Sequence, residues 1–492
     1  MISSSRATWL LAPLSAALAT GLFFACQSTD AEGGGASGVD QGRATKPNGC
    51  KFQVAPRPEY LDYGPDQPVV GPSPNIRRVR RGLGGNVAVG AEGRADASTT
   101  AAFAWQTDDG TLVSEVAWGS DPDPTKWPAE NRVGGTTWKT PPGGLNPQGE
   151  ARMHEAYVCG LTPATTYYYR VGGGPKGGEV WSDVYTFTTA PSDPAATVKI
   201  AVTGDSRGQE NDAWRVLQQR VTAMTPTLQL FSGDMINFGP DQQEWEKWLD
   251  GASRDAAGKP STLAQVLTLA AHGNHDNHNT LFYANMVLPA DVAKYPAYTE
   301  LFYALDVGPV HVVVLDDFFV ASNTDPDFKS AIGDWLEQDL GAANANRAKV
   351  PWIVVMHHHP EFSSLTHGKD ADVLRVRNFF TPIWDKHHVD VSLAGHDHDY
   401  ERSKPLTGPA DNPTIKASPA EGTTYIVCAG SGADAYGAGT SAFTQTSKSF
   451  GNGGALGVYG LLTASKDKLT FQAHFLTADG TDPVIDELVI TR

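Results

Sequence analysis

The sequence predicts an all-β sandwich followed by a layered α/β domain. Two patterns carry this. Residues from about 52 to 190 alternate in short strand-like segments with turns between them, whereas after residue 195 apolar runs break abruptly into polar turns. The 492 residues contain 51 Gly and 33 Pro, which means many turns. A length prior of about 150 residues per domain allows two to four domains. The boundaries expected are 56–190 for the sandwich and 195–492 for the α/β domain, behind a leader at 1–25 and a tether at 26–55.

The leader has one basic residue, Arg6, and then an almost wholly apolar or small stretch from Trp9 to Phe24, the layout of an export signal. Leu22-Phe23-Phe24-Ala25-Cys26 resembles the lipobox of bacterial lipoproteins. The resemblance implies a lipid on Cys26 as the mature N-terminus, a membrane contact made only through that lipid, and a periplasmic or outer-surface location. The other readings are an ordinary cleaved signal on a secreted protein, or an uncleaved anchor. Gly- and Ser-rich residues follow as a flexible tether. Export permits a disulfide. With Cys26 lipidated and Cys428 inside the apolar run Tyr425–Ala429, the permitted pair is Cys50 with Cys159. Four dispersed cysteines exclude both a disulfide-dense scaffold and a thiolate metal cluster.

In the sandwich, Ala101–Trp105 and Glu115–Trp118 read as strands, with Asp108-Asp109-Gly110 as a turn signal between them. Leu161-Thr162-Pro163 before the tyrosine-rich run Tyr167-Tyr168-Tyr169 resembles the corner of a fibronectin type III-like sandwich, where a tyrosine hydroxyl ties back to the backbone. Tyr185–Thr189 is the last strand and Ala190–Pro194 the linker. No catalytic cluster falls in this region.

The α/β domain carries five apolar runs that each end in Asp, Asn or His. Val198–Thr203 leads to Gly204-Asp205-Ser206-Arg207, and Leu228–Ser232 to Gly233-Asp234. Val266–Ala270 leads through Ala271 and His272 to Gly273-Asn274-His275-Asp276. Trp352–Met356 leads to His357-His358-His359-Pro360, and Val389–Ala394 to Gly395-His396-Asp397-His398. Any one of these is an ordinary turn. Five in succession at strand ends, where α/β proteins gather their sites, form a metal-ligating set of carboxylate, amide oxygen and imidazole. The candidate ligands outnumber what one ion takes, which points to two. The net charge of −17 argues against a nucleic-acid-binding surface. It also means that an anionic substrate would be met by metal ions and not by surface lysines and arginines.

These five segments, in this order, resemble the calcineurin-like metallophosphoesterases. With the sandwich ahead and Gly-His-Asp-His-Asp-Tyr-Glu-Arg at 395–402, the chain is most similar to their purple acid phosphatase branch. The resemblance implies α/β/β/α layering of the second domain and a centre of two metal ions (Fe, Mn or Zn, with Ca as a further option). Asp234 would bridge them, Asp205 and His398 would hold the first, and Asn274, His358 and His396 the second. The family's fourth ligand follows Val-x-x and precedes x-Pro. His358 meets both conditions and His357 only the first. The resemblance also gives catalytic places to His275, which would protonate the leaving oxygen, and to His367, which would face substrate.

The first position departs from the pattern. Where the broader family has His two residues after the first Asp, this chain has Arg207, and where the purple branch has a tyrosine ligand it has Asn237. Arginine is always cationic and binds no metal, so Arg207 is expected on a phosphate oxygen, the alternative being a salt bridge to a carboxylate of the site. Asn237 is expected to offer a carbonyl oxygen to the first ion. Without the tyrosinate, no Fe(III) charge-transfer colour is expected. The implied activity is hydrolysis of phosphate monoesters, by in-line attack of a hydroxide held on the ions. The alternatives are a phosphodiesterase or nucleotide hydrolase on the same core, and a surface-binding lipoprotein with a degenerate metal site.

Overall fold

In a computed structural model of the chain, the described residues are 47–54, 69–139, 152–207, 212–253, 262–451 and 453–492. The expected leader, Cys26 and most of the tether lie outside them. Among the described residues no helix is long and apolar enough to cross a membrane.

The sandwich is two antiparallel sheets. One runs Arg77–Gly82, Thr100–Thr107, Arg152–Cys159, Thr136–Lys139. The other runs Arg132–Gly134, Glu115–Gly119, Thr166–Gly173, Val180–Trp181, with Tyr185–Thr188 also paired to Thr166–Gly173. The expected strands around 101–105 and 115–118 are both present but in opposite sheets, so Asp108-Asp109-Gly110 opens a crossing between layers. The alternating pattern reports which face is buried, not which strand is the neighbour. The tyrosine corner is formed: the Thr162 N–H donates to the Tyr167 hydroxyl at 3.0 Å. Cys50 and Cys159 are joined by a disulfide, and Cys428 is free and buried.

Two mixed sheets build the α/β domain. The first runs Leu267–Ala270, Leu228–Phe231, Val198–Thr203, Gly457–Ala464, Lys468–Leu476, Val484–Thr491. The second runs Phe302–Val307, Val310–Leu315, Trp352–Met356, Val391–Ala394, Thr424–Cys428, Tyr400–Ser403, Thr444–Lys448. All five apolar runs read from the sequence are buried strands. Helices Ala213–Met224 and Gln242–Ser253 cover the first sheet, where Trp214 stacks on Trp248 and meets Phe231 edge-on at 5.3 Å. Helices Pro326–Ala345 and Ala371–His387 cover the second, with Trp335 against Phe302 and Phe380 against His357. One continuous apolar core joins both sheets and these helices.

Strand register aligns the site. Thr203, Phe231 and Ala270 are partners across three parallel strands. In the second sheet Met356 pairs with Leu393. The five loops therefore leave their sheets at one end. The sandwich is tied to the α/β domain by Arg78, which meets Glu246 at 2.9 Å and Asp250 at 2.8 Å, and by the Tyr169 hydroxyl, which donates to the Ala264 carbonyl at 2.6 Å. The two form one unit.

Candidate metal centre

Three of the candidate ligands, Asp205, Asp234 and His396, stand in left-handed backbone conformations at φ 55°, 56° and 70°. Such geometry is costly for a residue with a side chain and concentrates at functional sites. It is held by hydrogen bonds between loops. The His396 N–H donates to Asp205 Oδ1 at 2.9 Å, and the His275 N–H to Asp234 Oδ1 at 2.8 Å. Asp276 accepts from the N–H groups of Gly273, Asp234 and Met235, clamping the second and third loops together. Gly233, at φ 97°, makes the turn beneath the site. A methyl there would stand 2.8 Å from His358 Nδ1.

The two neighbouring histidines after Met356 diverge. His357 is buried with both nitrogens committed, Nδ1 to Asp317 at 3.0 Å and Nε2 to Glu361 at 2.9 Å. Burial alone would make it neutral, but Glu361 and Asp317 outweigh burial and push its pKa up to about 10. It is a charged structural group with no lone pair to give. His358 turns the other way. Its Nδ1–H donates to the Ser232 carbonyl at 2.8 Å, and burial lowers its pKa to about 4. The ring is therefore neutral, with the Nε2 lone pair in the site.

At the second position, acceptors face acceptors. His358 Nε2 lies 2.9 Å from Asn274 Oδ1 and 3.4 Å from Asp234 Oδ1, and His396 Nδ1 lies 3.0 Å from the same amide oxygen. Burial, with the neighbouring His359 and His358 adding to it, keeps His396 uncharged. Donor atoms of Asp205, Asp234 and His358 all fall within 4.8 Å of one another. Asp205 Oδ2 and Asp234 Oδ2 are buried without a hydrogen-bond partner. Buried lone pairs converging with no proton between them are what a cation satisfies. The donor set Asp234, Asn274, His358 and His396 therefore fits a metal ion.

The first position is arranged differently. His398 donates through Nδ1 to the Asp434 carbonyl at 2.8 Å, leaving Nε2 as an acceptor 3.6 Å from Asp205 Oδ1. That acceptor is already served: Arg207 approaches it with Nη2 at 3.0 Å and Nε at 3.3 Å. Arg207 also lies 3.6 Å from Asp234 Oδ2 and bonds His275 Nε2 and the Tyr436 hydroxyl. Burial raises the Asp205 carboxyl well above its usual range, and Asp234 adds to this. Burial also pushes Asp234 up, but His358, His275 and Arg207 outweigh it and hold that carboxyl low.

The remaining sequence candidates sort as follows. His275 is at the centre, its Nδ1–H donating to the Asn237 main-chain carbonyl at 2.9 Å. Asn237 itself is exposed and acts through that carbonyl on His275, so the expectation that it completes the first ligand set is corrected. The chain turns outward there because Glu244 accepts from the Asn237 and Phe238 N–H groups. His367 sits at the rim, its ring 4.6 Å from that of His396 and its Nδ1 2.8 Å from Asp370. Four contributors escaped sequence reasoning. Tyr436 stacks on His398 at 4.1 Å from a Gly- and Ala-rich loop with no motif. His359 and Asp372 bring donor atoms within 4.8 Å of His396. Asp276 follows the Gly-Asn-His signal directly, and its role as a clamp between loops comes only from the fold.

The fold and these ligand-bearing strand ends define an α/β protein with a metal-ligating centre. Residues 198–400 match the family described as Calcineurin-like phosphoesterase, and residues 91–189 match Purple acid Phosphatase, N-terminal domain. The chain thus carries a calcineurin-like metallophosphoesterase domain behind a purple acid phosphatase N-terminal domain. Such a domain implies a dinuclear metal centre.

Among relatives, purple acid phosphatase 21 of Arabidopsis thaliana is 29% identical over 265 residues, covering 52% of this chain and 54% of its own. An uncharacterized protein of Mycobacterium tuberculosis is 27% identical over 326 residues, 58% of each chain. The matched region spans a little over half the length of these relatives. Among solved structures, a purple acid phosphatase from yellow lupin seeds shares the fold at TM-score 0.65 and 17% identity, covering 85% of this chain and 75% of its own.

Proposed function

We propose that this chain is an exported, metal-dependent phosphatase that hydrolyses phosphate monoesters. The observation that carries the reading is the set of buried acceptors facing one another at Asp234, Asn274, His358 and His396. An ion held there would supply Lewis acidity and lower the pKa of a water molecule.

The chain's own groups do the rest. Arg207 sets fixed positive charge beside Asp234, where a phosphoryl oxygen gathers negative charge in the transition state. His275, anchored through Nδ1, accepts an Arg207 N–H at Nε2, and it would protonate the leaving oxygen only as an imidazolium released from that contact. His367, at the rim beside His396, orients the ester. The related proteins named purple acid phosphatases support the substrate class. Export rests on the leader, and the lipid anchor on Cys26.

The test is a pair of rates on an aryl phosphate monoester and its matching diester, with metal-loaded protein. Monoester hydrolysis is expected to be faster by at least about tenfold, a difference of about 1.4 kcal/mol in barrier. A faster diester reaction would replace the assignment with phosphodiesterase.

A further inference from the structure

We infer that the guanidinium of Arg207 stands in for the first metal ion, so that the chain holds one ion, at the second position. The two positions differ in who satisfies the acceptors. At the second, the His358 Nε2 lone pair looks onto the Asn274 oxygen with no donor between them, and His396 Nδ1 faces the same oxygen. At the first, the corresponding lone pair, His398 Nε2, receives two N–H groups of Arg207, and Nε of the same guanidinium lies against Asp234 Oδ2.

Arg207 is not a free arm. It is pinned by His398 on one edge, by His275 through Nη1 and by the Tyr436 hydroxyl at 2.7 Å through Nη2. Tyr436 is itself stacked flat on His398, its rings inclined by 15°. The guanidinium, the His398 ring and the phenol thus form one packed unit. The Arg207 side chain is 16% exposed.

The chemistry follows from charge and coordination. A guanidinium is permanently cationic, so it offsets the Asp234 carboxylate at every pH the protein survives. It offers planar donors suited to a phosphoryl oxygen. It has no coordination position and activates no water, so that task falls to the single ion. The sequence agrees: Arg207 stands where the family's first-site histidine belongs, and Asn237, in the tyrosine's place, is exposed.

The inference takes the second ligand set from the functional reading above and nothing else from it. The test counts ions without turnover. Protein saturated with Mn(II) or Zn(II) and freed of loose ion is analysed for metal per chain, in wild type, His398→Ala and Arg207→His. Expected are one ion in wild type, one in His398→Ala, and two in Arg207→His, where an imidazole two residues after Asp205 completes the first set.

Two ions in wild type, with one lost in His398→Ala, would overturn the inference, and so would none. Should His398→Ala fail to fold by circular dichroism, Arg207→His decides alone: no gain of an ion counts against the inference. A visible absorption band in Fe(III)-loaded wild type that disappears in Tyr436→Phe would also overturn it, by making Tyr436 a ligand at the first position. A chain that binds one ion in this way but hydrolyses no ester refutes the proposed function and keeps the inference.

Discussion

His357 and His358 are consecutive, equally buried and leave the same strand, yet the regions they face have opposite characters. Toward the helix Ala371–His387, His357 has both nitrogens satisfied by carboxylates and stays charged. Toward the strand ends, His358 is neutral and spends one nitrogen on a carbonyl, so that its other lone pair meets more lone pairs. The first arrangement is complete as it stands. The second is complete only with a cation. Residue type and burial do not separate structural from functional histidines here; the accounting of acceptors does.

That contrast breaks most visibly at His358. His358→Ala is expected to lower kcat/KM on an aryl monoester by about 10⁴-fold, or some 5 kcal/mol, because a ligand of the activating ion is lost. The unfolding midpoint without metal should change little by comparison, since the site's lone pairs are unsatisfied in that state. An active His358→Ala protein would erase the distinction.

His357→Leu should do the reverse. It leaves Glu361 and Asp317 buried without their shared cation, a loss of about 3–5 kcal/mol in stability by denaturant unfolding. Ion content per folded chain should stay at the wild-type value. Equal losses of ion and stability in both variants would show that the two faces are not separable.

A second histidine of the charged kind extends the comparison away from the centre. His311 binds Asp306 through Nδ1 at 2.7 Å and Asp339 through Nε2 at 2.8 Å. Burial lowers its pKa, but Asp339 and Asp306 prevail and push it up to about 9. That lies above the unfolded value of about 6.5. Its stabilisation is therefore full below pH 6.5 and is lost as pH rises through 9, on the order of 3 kcal/mol. The difference in unfolding free energy between wild type and His311→Gln should shrink by that amount across this window. A constant difference would mean the ring is not charged in the folded chain.

The sequence showed a great deal of this where chemistry sits at fixed spacing. Each of the five ligand segments was visible because a fully buried strand must be apolar and the next residues suddenly are not. The tyrosine corner was visible because Leu-x-Pro and tyrosine lie within one turn of chain. Asp317 and Glu361 were not visible, being single carboxylates whose partner is set by the packing of a helix against a strand. Tyr436 was not visible because its loop has neither period nor motif, and only the fold lays it on His398. The pairing of sandwich strands across sheets was hidden for a similar reason: alternation fixes the face of a strand and leaves its neighbour open. For Arg207 the sequence showed the departure from pattern, and the structure showed what the arginine does with it.

The most direct measurement is anomalous diffraction from crystals of the chain grown with Mn(II). The account predicts a peak about 2.0–2.3 Å from donor atoms of Asp234, Asn274, His358 and His396, with His357 still between Asp317 and Glu361. A map with no peak among those four residues, or with the ion ligated by His357, would contradict it.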